Sequence, residues 1–314
     1  MMKTVLVTGG AGFIGSHLCK TLAECGYRVF SLDDYSTGSE YNHVPGVVYI
    51  HGRTESISRL RQAKDLDDTT LEVPQFDTIY HLGEYSRVEA SFGDVARVWE
   101  SNKSGTFAVL EYWRKSEGKT KLVYAGSSTK FADGGLGRSQ SPYAWTKASN
   151  TELIENYGRW WGLPYATAYF YNAYGPREIS SGPYATLIGI FKEHAKNGKP
   201  LPVVAPGTQR RNFTHVSDIV SGLYLVGEFG AGNDYGIGNE QAYSVLEVAE
   251  MFRWPVDMLD GRPGNRADSA INTEKVRALG WHPTVELDDH IHEFLQSIKT
   301  NPNGSPGSVG EGNK

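Results

Sequence analysis

The sequence predicts an α/β protein: a doubly wound parallel sheet carrying a smaller C-terminal lobe. Three observations predict it. Short apolar runs alternate with helix-period stretches through the first 175 residues, and the first of these runs ends in a glycine-rich turn that opens a helix. Beyond Gly175-Pro176-Arg177 the rhythm becomes irregular. Such alternation implies parallel strands covered by helices on both faces.

Lys3–Thr8 is the first strand and Ser16–Cys25 the first helix. Arg28–Leu32, running into Asp33-Asp34, then Val47–Ile50, Thr78–Leu82, Lys121–Ala125 and Tyr165–Tyr171 follow as strands. Val88–Lys115 and Tyr143–Trp161 read as long helices, and further helices are expected at Ala185–Asn197, Val216–Gly227, Val245–Phe252 and Asp288–Lys299. The expected organisation is a Rossmann-type dinucleotide-binding domain over 1–175 and a mainly substrate-binding lobe over 176–300, set above the carboxyl ends of the strands where open α/β sheets bind ligands. The last segment, 301–314, is rich in Gly, Ser, Asn and Pro and is expected to be disordered.

At 314 residues with a formal net charge of −5, the chain lacks the basic balance of a nucleic-acid or anionic-membrane surface. No apolar run approaches the roughly 20 residues that span a bilayer, and no leader precedes the first strand, so a cytoplasmic protein is expected. Cys19 and Cys25 lie six apart on one predicted helix and face different directions, which predicts free, buried thiols. His81 ends a strand and reads as a packed structural histidine; no cluster has metal-ligand spacing, and no metal is expected.

Gly9, Gly12 and Gly15 follow the first strand and open the first helix. Glycines there permit a tight turn and close backbone approach to a pyrophosphate at the helix N-terminus. Asp33 closes the second strand 18 residues after Gly15. A carboxylate at that place binds ribose hydroxyls and repels a 2′-phosphate, which favours NAD over NADP.

Tyr143 and Lys147 are four apart at the start of a predicted helix and share one face, with Ser127 sixteen residues upstream. A phenol is a poor base, with a pKa of about 10. An ammonium at about 5 Å, with an effective dielectric of about 20, favours the phenolate by about 3 kcal/mol. Ser127 and Thr129 are expected on one strand face, with Ser128 pointing away.

These motifs, in this order, resemble the NAD-dependent epimerase/dehydratase family of extended short-chain dehydrogenases/reductases. The resemblance runs from Lys3 to Ile298. It rests on Thr8–Gly15, His81-Leu82-Gly83-Glu84 with Val88, Asn102 with Gly105-Thr106, Ser127 with Tyr143 and Lys147, Asn172 to Arg177, Arg211 to Val216, and Arg262-Pro263-Gly264. It implies Tyr143 as general base, Lys147 on the nicotinamide ribose and Ser127 polarising a sugar hydroxyl. Gly9, Gly12, Phe13, Ile14, Gly15, Asp33, Leu82, Gly83 and Asn102 are implied in cofactor binding. Ser86, Arg87, Thr129 and Asn172 are implied at the substrate, with Arg211 and Arg262 gripping a diphosphate. A nucleotide-sugar 4-epimerase forming a homodimer through the helices around 88–115 and 143–161 is the implied activity and assembly. Net oxidation or reduction at C4 is the nearest alternative, and a non-catalytic NAD-sensing protein a distant one.

The departures narrow this. Family members that eliminate water carry an acidic pair directly after the catalytic Ser/Thr, whereas Ser128-Thr129 stands here. Arg53 replaces an adenine-binding Asp after Gly52, and Gly83-Glu84 replaces a small pair, leaving Glu84 without a role. The stretch that in the family usually carries Arg before Tyr-Phe-Asn reads Tyr169-Phe170-Tyr171-Asn172, so one basic contact is missing. Ser269 lies seven residues after Arg262, where the resemblance implies a residue that limits room beside the sugar, so a serine there implies space for an N-acetyl group. Trp145, Trp160 and Trp161 are expected to pack the helix or a dimer surface.

Overall fold

The computed structural model describes residues 2–62, 72–260 and 271–300. Seven strands form the central sheet: Thr4–Thr8 (β1), Arg28–Asp33 (β2), Val48–His51 (β3), Thr78–His81 (β4), Lys121–Ser127 (β5), Tyr165–Phe170 (β6) and Gly232–Ile237 (β7). Their order is β7-β6-β5-β4-β1-β2-β3, and every pairing is parallel. The strands are apolar on both faces because both faces are covered. In β1, Val5 and Val7 face the helices Phe13–Glu24 (α1) and Val216–Phe229 (α5), with Leu18, Leu22, Ile219 and Leu223. Leu6 faces the opposite way, toward Thr106–Arg114 (α2) and Pro142–Trp161 (α3), with Leu110, Trp113 and Ile154.

The chain crosses back into the sheet after residue 175. Strand β7 pairs with β6, and α5 packs under it, so residues 216–237 belong to the sheet layers although they follow the irregular stretch. The remaining C-terminal residues build a separate core. Leu187–Lys196 (α4), Val245–Phe252 (α6) and Leu287–Thr300 (α7) enclose Ile188, Phe191, Val248, Phe252 and Ile291 beside short two-stranded ladders.

The expected helix over Val88–Lys115 is broken. A 3-10 turn at Ala90–Phe92 and a helical turn at Val95–Val98 lead into a π-helical segment, Trp99–Gly105, before α2 begins. Gly93 and Asp94 interrupt the helical spacing. Gly105 lets the segment lie against Thr54, whose Oγ1 would stand 2.3 Å from an added Cβ. The first helix starts earlier than expected, at Phe13, and ends at Glu24; Cys19 is buried, but Cys25 is exposed at the C-cap rather than buried. Among the described residues, no helix is long and apolar enough to cross a membrane, and no group of three or more His, Cys, Asp or Glu is placed to hold a metal ion.

Candidate active site

A cavity of about 550 Å³ opens over the carboxyl ends of β1, β4, β5 and β6, within the range of small-molecule sites. Its floor is the glycine turn. Gly9 adopts φ +77°, and its N–H donates to Leu32 O at 2.9 Å. A Cβ on Gly15 would stand 2.0 Å from Gly9 O, so only glycine lets α1 start this close to β1. The N-cap of α1 is Gly12, with no side-chain cap and no acidic residue in the first turn. The first amide N–H groups of α1 therefore face the cavity floor without a capping side chain, as an anion site requires. Asp33 ties the turn from the side: its carboxylate accepts from Ala11 N at 2.9 Å and Tyr35 N at 2.8 Å. Burial pushes this carboxyl up, against the pull of those two amides. A tight glycine cradle, an uncapped helix start and a carboxylate at the end of β2 fit a dinucleotide, with Asp33 placed for a ribose. Arg53, also on the wall, is exposed and reaches Glu100 at 3.4 Å and Asp34 at 3.9 Å.

The opposite wall comes from α3 and β5. Ser141 caps α3, its Oγ accepting from Ala144 N at 3.0 Å, Pro142 occupies the first turn, and Gly162 at φ +62° ends the helix. This fixes where α3 begins, and hence where Tyr143 and Lys147 stand. Tyr143, Lys147, Ser127, Ser128 and Thr129 all line the cavity. Strand β5 ends at Ser127 and a 3-10 helix starts at Ser128. Ser127 and Thr129 therefore meet through a local turn, their hydroxyl oxygens 2.9 Å apart, rather than on one strand face, and Ser128 lines the cavity too.

Behind Tyr143 lies a buried polar network. Lys147 Nζ donates to Ala125 O and to the carboxylate of Glu84; the two side chains are 7% and 2% exposed, so the pair is sealed from water. Glu84 also accepts from Thr106 Oγ1 at 2.7 Å, Asn150 Nδ2 at 2.9 Å and the Tyr124 hydroxyl at 3.1 Å. Burial pushes the Glu84 carboxyl up, but the Lys147 ammonium and these donors outweigh it, and the group sits below the ordinary carboxylate range. Burial, reinforced by Glu84, keeps the Tyr124 phenol protonated as a donor. A carboxylate only accepts, so Thr106 must donate to it. His81 Nε2–H then donates to Thr106 Oγ1 at 3.0 Å, while Nδ1 accepts from Thr8 Oγ1 at 2.7 Å. Burial holds the His81 imidazole down to about 4, so it is neutral in this chain. Lys103 closes the far end, donating to Asn150 Oδ1 at 2.7 Å and Ser149 Oγ at 3.1 Å.

Gly9, Gly12, Phe13, Ile14, Gly15, Asp33, Leu82, Gly83, Ser86, Arg87 and Asn172 also line the cavity. Arg87 donates through Nε to Tyr184 O at 2.8 Å. Asn172 holds a positive φ of 28° and donates to Asn212 O at 2.8 Å. Two expected contacts lie elsewhere. Asn102 is fully buried behind the wall, where its amide holds Tyr85 N at 2.7 Å and Thr146 Oγ1 at 3.1 Å. Arg211 is outside the lining and donates to Arg210 O at 2.7 Å. Arg262 and Ser269 fall outside the described residues. Sequence reasoning named Thr106 only as a motif residue without a role and passed over Tyr124 and Asn150, although Tyr143, Lys147 and Asn150 form one i, i+4, i+7 polar stripe on an otherwise buried helix face.

A parallel sheet with a glycine-turn anion site, facing a Ser-Tyr-Lys wall across one cavity, defines a dinucleotide-dependent α/β protein. The chain belongs to the NAD dependent epimerase/dehydratase family, whose sequence profile matches residues 5–238; NAD is its cofactor. It is 26% identical to a putative UDP-glucose 4-epimerase of Methanocaldococcus jannaschii, over 95% of this chain and 99% of that one. It is also 26% identical to a trifunctional UDP-glucose 4,6-dehydratase/UDP-4-keto-6-deoxy-D-glucose 3,5-epimerase/UDP-4-keto-L-rhamnose-reductase of Arabidopsis thaliana, over 96% of this chain. The chain spans about half the length of that plant protein. Among solved structures, the UDP-glucose 4-epimerase of Thermotoga maritima with UDP-glucose superimposes with a TM-score of 0.85 at 25% identity, covering 95% of this chain and 99% of that one. The Thermus thermophilus UDP-glucose 4-epimerase complex with NAD gives 0.81 at 26% identity, covering 94% and 99%.

Proposed function

We propose that the protein is an NAD-dependent nucleotide-sugar 4-epimerase, acting on a UDP-hexose or UDP-N-acetylhexosamine through a transient 4-keto sugar. The observation that carries this reading is the wall itself: Tyr143, Ser127 and Thr129 line the same cavity as the glycine turn. Bound at the glycine turn, NAD would supply a reversible hydride acceptor for the sugar carbinol. Tyr143 takes the 4-hydroxyl proton as the hydride leaves C4, the 4-keto sugar turns its opposite face to the hydride donor, and Tyr143 returns the proton to the same oxygen as the hydride comes back; pairing the two transfers avoids stranding charge in a closed site. Ser127 and Thr129, already in contact, orient that hydroxyl. Arg87 and Asn172 face the substrate end.

Ser128 and Thr129 stand where a dehydrating relative needs an acid to protonate the leaving hydroxyl. Elimination of water lacks its acid here, which favours epimerisation. A homodimer is supported by exposed aromatics on α2, α3 and the π-helical segment: Trp99 stacks on Trp145 at 5.9 Å, Phe107 is exposed on α2, and Trp160 and Trp161 are exposed at the far end of α3.

The test is a panel of nucleotide sugars read by NMR of the product, with NADH absorbance followed in parallel. A C4-inverted sugar without accumulating NADH supports the reading. Stoichiometric NADH would assign net dehydrogenation instead, and inert behaviour toward every sugar with NAD bound would favour a sensing role.

A further inference from the structure

Arg53, Arg87, Arg97 and Lys147 bring positive charge to the cavity lining. Two of them are neutralised within the protein: Arg53 reaches Asp34 and Glu100, and Lys147 pairs with Glu84. Arg87 is not. Its guanidinium donates through Nε and Nη2 to Tyr184 O and through Nη1 to Ser86 O. Among the described residues no carboxylate pairs with it. Burial pulls this partly buried guanidinium below its ordinary value, and the groups that oppose burial are the Tyr143 and Tyr184 phenols, not an acid. An arginine stays protonated regardless. Its charge is therefore desolvated without a counterion, which costs free energy until an anion completes the site.

The contacts it does make leave it ready for one. Nε and Nη2 converge on the single Tyr184 oxygen, so Nη1 and Nη2 each keep one N–H unused. A carboxylate accepts such a pair through its two oxygens. Tyr184 is itself steadied by its ring, which meets Tyr85 edge-on at 5.4 Å. The fork is thus held before any ligand arrives, and little side-chain freedom remains to be lost on binding. Arg97 lines the cavity too, but among the described residues no hydrogen bond holds it. Ser127, Thr129 and Tyr143 line the same cavity as Arg87, which sets the guanidinium beside the hydroxyl groups that would receive the sugar.

We propose that Arg87 is a specificity-determining residue that selects a carboxylate on the sugar, so that the preferred substrate is a nucleotide-linked hexuronic acid. The inference rests on the nucleotide-sugar reading and narrows it. A neutral hexose enters the same cavity but leaves the guanidinium without its counterion, and binds more weakly for that reason.

The test is calorimetric titration of the NAD-loaded protein with UDP-glucuronic acid, UDP-glucose and UDP. UDP-glucuronic acid is expected to bind about 10–100-fold more tightly than UDP-glucose, the range that one charge-assisted contact supplies. Arg87→Gln should bring the two within about threefold of each other by weakening UDP-glucuronic acid alone. Arg87→Lys keeps the charge but loses the fork, and should show an intermediate preference. If Arg87 served only to hold the Tyr184 carbonyl, or gripped the diphosphate instead, Arg87→Gln would weaken all three compounds alike. Either pattern overturns the inference. So does equal wild-type affinity for the two sugars, or a preference that survives Arg87→Gln, and each of these leaves the nucleotide-sugar reading standing. If Arg87→Gln does not fold, the wild-type preference and Arg87→Lys decide the matter. If none of the three compounds binds, the nucleotide-sugar reading falls and this inference with it.

Discussion

The Glu84 carboxylate and the Lys147 ammonium, 63 residues apart in sequence, meet as a buried ion pair behind the cavity wall that carries Ser127 and Tyr143. The contact joins the end of β4 to the second turn of α3, so it ties the dinucleotide half of the cavity to the half that carries Tyr143. Neither charge has another charged partner in hydrogen-bond contact among the described residues.

Breaking such a pair from one side leaves an uncompensated buried charge, which costs about 3–5 kcal/mol. Lys147→Met is expected to lose stability in that range in urea unfolding. Adding Glu84→Gln to it should recover most of the loss, because the stranded anion is then gone. Equal destabilisation by the single and double variants would show that the pair contributes packing and not charge.

Acid stability follows from His81. Its folded imidazole is held down to about 4 by burial, against 6.5 for a free histidine. Between those values the unfolded chain takes up a proton that the folded chain refuses, so stability falls as pH drops from 6.5 to 4. The loss is about 3 kcal/mol at about 1.4 kcal/mol per unit. His17, His215 and His290 are also lowered by burial, so the comparison needed is wild type against His81→Asn. The variant should show a shallower slope in that window; parallel curves would contradict the assignment. Glu84, held below the ordinary carboxylate range, gives up its contribution only further down, as pH falls through its folded value.

Gly15→Ala places a methyl carbon 2.0 Å from Gly9 O, a backbone atom that cannot swing aside. The turn must open, at a cost of about 1–3 kcal/mol, and the N-terminus of α1 moves from the anion site. NAD affinity should drop at least tenfold by fluorescence titration. Gly26→Ala is the control: that residue has a positive φ of +82°, which Gly15 has not, but an added Cβ meets nothing within 4 Å, so NAD binding should be unchanged.

How far the sequence alone reached depends on the range of the interactions. Thr8–Gly15, Asp33 and the Tyr143/Lys147 spacing are local patterns whose meaning survives without coordinates, and the six strands through Tyr165–Phe170 were legible as apolar runs. Strand β7 was not, because Gly232-Asn233-Asp234-Tyr235-Gly236-Ile237 carries two glycines and a register shift and owes its strand to the exposed edge of β6. The π-helical segment was not legible either: it ends at Gly105, packed closely on Thr54, a contact between residues distant in sequence. Glu84 read as a bare departure from the family pattern; its partners come from α2, β5 and α3 and meet only once the sheet order is known. Asn102 and Arg211 carry the family's residue types, yet their side chains are engaged outside the cavity lining.

The central claim is that the hydride leaves C4 of a nucleotide sugar and returns to the same carbon. UDP-glucose and UDP-N-acetylglucosamine deuterated at C4, incubated with the NAD-loaded protein, test it most directly by NMR. The account predicts a C4-inverted product that keeps its deuterium at C4, without accumulating NADH, and no product from Tyr143→Phe. Deuterium lost into accumulating NADH, or carried to C6 with loss of water, would contradict it.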